Sequence, residues 1–262
     1  MQHHEAHWLF RVYAYIWDGV DWLFPPTCGG CNRAGYRWCP SCADETHPLT
    51  GPLCEICGIP LPSPGLCTAC KRERPAFRAL RSWSAFQGPL RNAILLMKYR
   101  FDLGLVCALT EAMLPFLNAL PWPVDLVIPV PLSERRYKER GYNQAELIAR
   151  SLALARGWEC RPETLVRARD TLSQVGLSAK ERRENVRGAF RADEAHVRGR
   201  SVLLVDDVAT TGATLSACAQ ALLDGGATEV YALTLARALP AHIPGHPLHD
   251  FEPHSTTPIK EV

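Results

Sequence analysis

The sequence predicts an α/β protein, a doubly wound and mostly parallel sheet, preceded by a small cysteine-rich module. Three observations predict it. From about residue 76 short apolar strands alternate with helical segments, the pattern of βαβ units. Residues 202–205, Val-Leu-Leu-Val, are continuously apolar, as a strand covered on both faces must be, and run into Asp206-Asp207. Eight of the eleven cysteines lie between residues 28 and 70, as four Cys-x-x-Cys pairs. A chain of 262 residues accommodates one ordinary domain and a small accessory module.

Taken in order, residues 7–24 read as an amphipathic helix with Trp8, Leu9, Val12, Tyr13, Ile16, Trp17 and Val20 on one face, stopped by Pro25-Pro26. Such a stripe is expected to pack on its own domain. Residues 25–75 form the cysteine module. Helices are predicted over 89–98 and 103–120, and a short strand over 125–130, ended by Pro129 and Pro131. A basic loop carrying Arg135, Arg136, Lys138 and Arg140 follows, then a helix over 143–155. Residues 167–190, with Thr171, Gln174, Leu177, Arg182, Arg183 and Asn185, are polar, basic and weakly periodic, as a mobile active-site loop would be. A strand over 201–206, a helix over 213–224 ended by Gly225-Gly226, and a strand over 229–236 complete a βαβ unit. After Pro240 the chain is rich in Pro and His and reads as disordered. The expected units are therefore 1–24 (helix), 25–75 (cysteine module), 76–240 (α/β domain) and 241–262 (tail).

The pairs are Cys28/Cys31, Cys39/Cys42, Cys54/Cys57 and Cys67/Cys70. Each offers two thiolates to one tetrahedral Zn²⁺, and two pairs close a Cys₄ structural site. Consecutive pairing gives two zinc ribbons, while interleaved pairing and a single metal are left open by spacing alone. A disulfide framework is the alternative and needs an oxidising compartment. The first residues do not follow the secretory-leader pattern, and the expected location is cytoplasmic. No run approaches the roughly 18 apolar residues of a membrane span. Cys107, Cys160 and Cys218 sit alone in apolar stretches and read as small buried hydrophobes.

Asp206 and Asp207 emerge at the carboxyl end of a strand, where open α/β sheets bind ligands. Thr210-Thr211-Gly212-Ala213-Thr214 follow. Gly212 lets the backbone turn sharply, and the neighbouring N–H groups and threonine hydroxyls converge on one anion. A phosphate on the loop and a polyol on the acids describe a sugar phosphate. Lys98 and Arg100, with Arg135, Arg136, Lys138 and Arg140, are candidates for a pyrophosphate or a DNA backbone. From Lys71 to Arg200 there are 24 Lys+Arg against 14 Asp+Glu, and the remainder carries 5 against 13. A basic middle between acidic flanks suits a polyphosphate or nucleic-acid contact.

The segment 202–214 resembles the phosphoribosyl pyrophosphate (PRPP) signature of type I phosphoribosyltransferases. That resemblance implies that Asp206 and Asp207 hold the ribose hydroxyls, with Mg²⁺ nearby on the pyrophosphate. The 210–214 loop would take the 5-phosphate, with Ala209 also among the PRPP-binding positions. Lys98-Tyr99-Arg100, Pro129-Val130-Pro131, Arg140-Gly141-Tyr142-Asn143-Gln144, Arg169/Thr171/Gln174, Arg182/Asn185 and the cysteine module together resemble the ComF family (ComFC/GntX type). The resemblance runs from Cys28 to about Ala238. It implies a PRPP-binding protein of natural competence that handles incoming single-stranded DNA, with competence or recombination proteins as partners. Trp38, Trp83, Tyr99 and Tyr142 are the base-stacking candidates. Two alternatives stand beside this: an active phosphoribosyltransferase with an unidentified acceptor, and an interaction module whose nucleotide fold is a relic.

Overall fold

A computed structural model of the chain describes residues 7–169, 181, 186 and 188–239. The expected mobile-loop residues Thr171, Gln174, Leu177, Arg182, Arg183 and Asn185, and the expected tail, lie outside the described residues. Among the described residues no helix is long and apolar enough to cross a membrane.

The most apolar strands take the middle of the sheet. It runs in the order β1 (Ala79–Ala85), β7 (Glu229–Arg237), β6 (Ser201–Ala209), β2 (Leu126–Pro129) and β3 (Glu159–Cys160). All four pairings are parallel, which requires cover on both faces. One face carries Leu80, Ile128, Leu204 and Ala232, and the other Val127, Leu203, Val205 and Leu233. β1 was not foreseen in the sequence. Arg81, Ser82 and Ser84 break its apolar run, yet Ser82 Oγ and Thr234 Oγ1 lie 2.7 Å apart and satisfy each other across the β1–β7 pair. β4 (Leu165–Arg167) and β5 (Phe190–Ala192) form a separate antiparallel pair.

Helices α4 (Gly88–Tyr99), α5 (Leu103–Asn118) and α7 (Gln144–Arg156) cover one face with Ile94, Met97, Leu105, Met113, Ile148 and Leu152. The helix Ala213–Asp224 covers the other. Short helices α2 (Pro40–Asp44) and α3 (Thr68–Arg72) begin directly after Cys39 and Cys67. Completing the chain order, α6 is Glu134–Arg140, α8 is Glu194–Val197 and α9 is Ala213–Asp224.

Two expectations are corrected. The basic segment after Pro131 is helical, not a loop. Ser133 caps α6 by accepting from the Arg136 N–H, and Gly141 ends it in the left-handed conformation at φ 75°. The α1 helix (Trp8–Leu23) does pack on its own domain, but through a different face. Phe10, Tyr13, Ala14 and Trp17 meet Cys107 and Ala155, leaving Trp8, Leu9, Val12 and Ile16 exposed. The same rotation brings the Asp21 carboxylate to Arg37, at 2.6 Å. Arg37 also holds Asp102, the N-cap of α5, so one guanidinium joins α1, the cysteine module and α5.

Candidate functional site

The eight clustered cysteines form two groups, Cys28/Cys31/Cys39/Cys42 and Cys54/Cys57/Cys67/Cys70, with the ligand atoms of each within 4.8 Å of one another. The Cys28–Cys42 and Cys31–Cys39 sulfurs are 3.6 Å apart, and Cys57–Cys67 3.7 Å. A tetrahedron with Zn–S bonds of about 2.3 Å has edges of about 3.8 Å, so the sulfurs fit Zn²⁺ as they stand. The fold also prepares one thiolate per group. Burial opposes charge on Cys28, but the N–H groups of Cys39, Cys31 and Gly30 outweigh it and bring it down to about 7. Cys54 reaches about 7 in the same way, with burial overcome by the N–H groups of Cys67, Cys57 and Ile56.

The two groups dock on different parts of the α/β domain. The first lies on α4 and α5: Gly29 abuts Leu105, and the Gly30 carbonyl accepts from Asn92 Nδ2 at 2.9 Å. The second lies on β1. The Leu80 N–H donates to the Ile56 carbonyl at 2.7 Å, and at Gly58, φ 66°, a Cβ would stand 2.5 Å from the Leu80 oxygen. That approach leaves room for glycine alone.

At the carboxyl end of the sheet, β2 pairs with β6 only as far as Pro129–Val205, while β7 follows β6 to Ala209. The chain order also reverses between β2 and β6, the crevice where open α/β sheets take ligands. A cavity of about 480 Å³ opens there. Of the sequence-derived candidates, Asp206, Asp207, Ala209, Thr210, Gly212, Ala213, Thr214, Lys98, Arg136 and Arg140 line it. Thr211 does not; its Oγ1 accepts from the Ala213 N–H at 3.3 Å. Arg100 is the C-cap of α4, Arg135 pairs with Glu139 and Lys138 with Glu134, each away from the cavity wall.

The two acids are placed differently. Asp207 is 6% exposed, and its Oδ2 accepts from Lys98 Nζ and from Gln144 Nε2, each at 3.2 Å. Gln144 Oε1 in turn accepts from Arg140 Nη1 at 2.9 Å, so one neutral amide ties the basic helix to the acid pair. Asp206 opens onto the cavity, and its Oδ1 accepts from the Asp207 N–H at 2.9 Å. Burial, then the neighbouring Asp207 carboxylate, pushes the Asp206 carboxyl up to about 8. Gly212, at φ 79°, turns the loop into the N-terminus of α9 and rests over Phe77 and Leu80.

Of the remaining lining residues, Phe86 was not foreseen, while Gln144 and Arg167 had been named only within the family pattern and the expected mobile loop and were not assigned to a binding role. Gln144 carried a signal, since it opens a helix directly after the capping Asn143. Phe86 follows a strand the sequence did not disclose. Among the stacking candidates, Trp83 is a core residue and Tyr142 is engaged, its hydroxyl donating to the Met97 carbonyl and its ring meeting Phe101 edge-on at 5.2 Å. Trp38 packs beside Cys28, Cys39 and Cys42, whereas Tyr99 is 81% exposed.

Comparison with known proteins gives matching results. The double zinc ribbon domain matches residues 19–71, and the phosphoribosyl transferase domain matches residues 139–244. "DNA utilization protein YhgH" of Salmonella typhi is 35% identical over 82% of this chain and 98% of its own length. "Competence protein ComFC" of Bacillus subtilis (strain 168) is 30% identical over 76% of this chain and 84% of its own. "Competence protein F" of Haemophilus influenzae (strain ATCC 51907 / DSM 11121 / KW20 / Rd) is 32% identical over 80% and 94%.

Proposed function

The chain belongs to the ComF family, and from that premise we propose that it is a competence-related cytoplasmic protein that binds PRPP with Mg²⁺ and handles incoming single-stranded DNA. One observation carries the reading: Asp206 and Asp207 face a helix N-terminus turned by Gly212 across a single cavity whose remaining wall supplies Lys98, Arg136 and Arg140. The 5-phosphate sits on the N–H groups of the 210–214 loop, where the helix dipole favours an anion. Asp206 and Asp207 accept from the ribose 2- and 3-hydroxyls. Arg136 and Arg140 take the pyrophosphate, with bidentate geometry available to each. Mg²⁺, when bound with PRPP, neutralises pyrophosphate charge beside the acid pair.

The DNA part of the reading is supported by the rim. Tyr99, Phe101 and Tyr137 are exposed, interleaved with Arg100, Arg135, Arg136 and Lys138. The Phe101–Tyr142 contact brings the turn after α4 against the residues following α6. Exposed aromatics among cations suit a strand whose bases stack while its phosphates are neutralised. The exposed pairs Arg135–Glu139 and Lys138–Glu134 are weak enough to yield to phosphate.

Calorimetric titration with Mg²⁺ and PRPP tests the first part. Binding by the wild type that Asp206→Asn/Asp207→Asn loses is expected, and a folded wild type that does not bind overturns it. Single-stranded DNA affinity is expected to fall steeply with salt, and salt-independent binding would dismiss the DNA role.

A second reading, an active phosphoribosyltransferase, is favoured by the apolar stretch of the same wall. Phe86, Val130, Pro131 and Leu132 leave room for an acceptor beside the ribose site. Positive charge developing on ribose C1 as pyrophosphate leaves would then be served by the acids, and the leaving group by Arg136 and Arg140. Pyrophosphate release on adding a nucleobase, absent in Asp207→Asn, distinguishes turnover from binding.

A further inference from the structure

Arg237 ends β7 beneath the pocket and is only 3% exposed. Its Nη1 donates to the Cys57 carbonyl at 3.1 Å, and its Nε has no partner. No carboxylate pairs with it among the described residues. A buried guanidinium without a counter-charge is costly, because desolvation is not recovered by one neutral acceptor. Arg81, on the neighbouring strand, repeats the pattern. It donates only to backbone carbonyls, Leu80 at 2.8 Å, Glu55 at 3.2 Å and Cys54 at 3.5 Å. Two cations from adjacent strands thus converge on the Cys54–Cys57 knuckle, and among the described residues neither meets an acid.

The missing charge is supplied by the metal site itself. Four thiolates around one Zn²⁺ leave the closed cluster with a net charge of minus two, and two guanidinium groups balance it. The first cluster is served differently. Arg37 is taken by Asp21 and Asp102, and Arg33 donates to the Ser41 hydroxyl. We propose that Arg237 and Arg81 are the counter-cations of the second zinc–thiolate cluster, so that the metal in this ribbon is electrostatically built into the sheet. The consequence reaches the pocket by backbone contact. Arg237 pairs in register with Ala209, its carbonyl accepts from the Phe86 N–H at 2.7 Å, and the Ala238 N–H donates to Ala209 at 2.9 Å. Ala209, Phe86 and Ala238 all line the cavity. Zinc lost from the second ribbon would leave an uncompensated charge under that wall.

The test is zinc release from the full chain to a chromogenic chelator, following both metals. Cys31→Ser, which leaves one complete site, assigns the second ribbon's phase. Arg237→Met keeps length and apolar bulk while removing the charge. It is expected to speed release from the second site at least tenfold, leave the first site unchanged, and be largely rescued by Arg237→Lys. Arg81→Met, at a half-buried position, is expected to give a smaller effect at the same site, and covers the case in which Arg237→Met does not fold. Wild-type release from both sites in folded Arg237→Met overturns the proposal. So does equal acceleration in Arg237→Lys and Arg237→Met, which would make the role one of shape rather than charge, or no effect of Arg81→Met when that variant alone folds.

Discussion

PRPP binding is expected to strengthen as pH rises through neutrality. The Asp206 carboxyl is pushed up to about 8 by burial and then by Asp207, so without ligand it holds its proton at pH 7. A carboxylic acid presents one acceptor oxygen fewer to the ribose hydroxyls and offers no negative charge to Mg²⁺, so the ionised form is the competent one. Apparent affinity scales with the competent fraction. That fraction is about one in a hundred at pH 6 and about one half at pH 8, giving roughly a 50-fold gain over the interval. For stability the sign is opposite. The native state binds this proton more tightly than the unfolded chain, so the associated stability is full below about pH 4 and is lost progressively up to about pH 8. Calorimetry in two buffers of different ionisation heat at pH 7 should count nearly one proton released on binding. Asp206→Asn, fixed in an uncharged form, should bind more weakly at every pH and show only the ligand's own phosphate titration, without the excess slope. Equal slopes in wild type and Asp206→Asn would refute the reasoning.

Three further outcomes are expected. Gln144→Leu removes the amide that links Arg140 to Asp207; PRPP affinity should fall about tenfold, the equivalent of one charge-assisted hydrogen bond, and Gln144→Glu should fall further by placing a third carboxylate beside Asp207, both read by calorimetry. Arg37→Ala breaks the half-buried pairs to Asp21 and Asp102 and should destabilise the fold by about 2 kcal/mol in denaturant titration. Thr234→Val should cost about 1–2 kcal/mol by stranding the buried Ser82 hydroxyl, whereas Ser82→Ala should cost less in the same melts, since Thr234 Oγ1 still donates to the Ala236 carbonyl at 3.0 Å.

What the sequence disclosed was local, and what it concealed was set by contacts between distant segments. Asp206 through Thr214 could be read because strand end, acids and glycine turn are contiguous, and no tertiary contact is needed to bring them together. The cysteine groups could be read because a knuckle fixes its own spacing. The α6 helix was readable and was misjudged. Ser133 and Gly141 are ordinary start and stop signals, but the run of cations between them suggested a loop. Lys98 is a different case. At the end of a helix its charge is explained by the dipole, and only the packing of α4 on the sheet brings it to Asp207. The rotation of α1 was likewise not given by the aromatic stripe: Phe10, outside it, is the residue buried against Cys107 and Ala155, and Asp21 reaches Arg37, both contacts with segments distant along the chain.

The cavity is not the property of the phosphoribosyl transferase segment alone. That match begins at residue 139, yet Phe86, Lys98, Val130 and Arg136 all line the cavity from before it. Each ribbon stands behind one of these contributions. The first holds α4 through the Asn92–Gly30 hydrogen bond, and α4 carries Lys98 to Asp207. The second holds β1 through Leu80 and Arg81, and β1 delivers Phe86 while covering the edge of β7. A strand in β7's position would otherwise present an unpaired edge. The small cysteine module therefore does more than stabilise itself: its two halves brace opposite walls of one pocket.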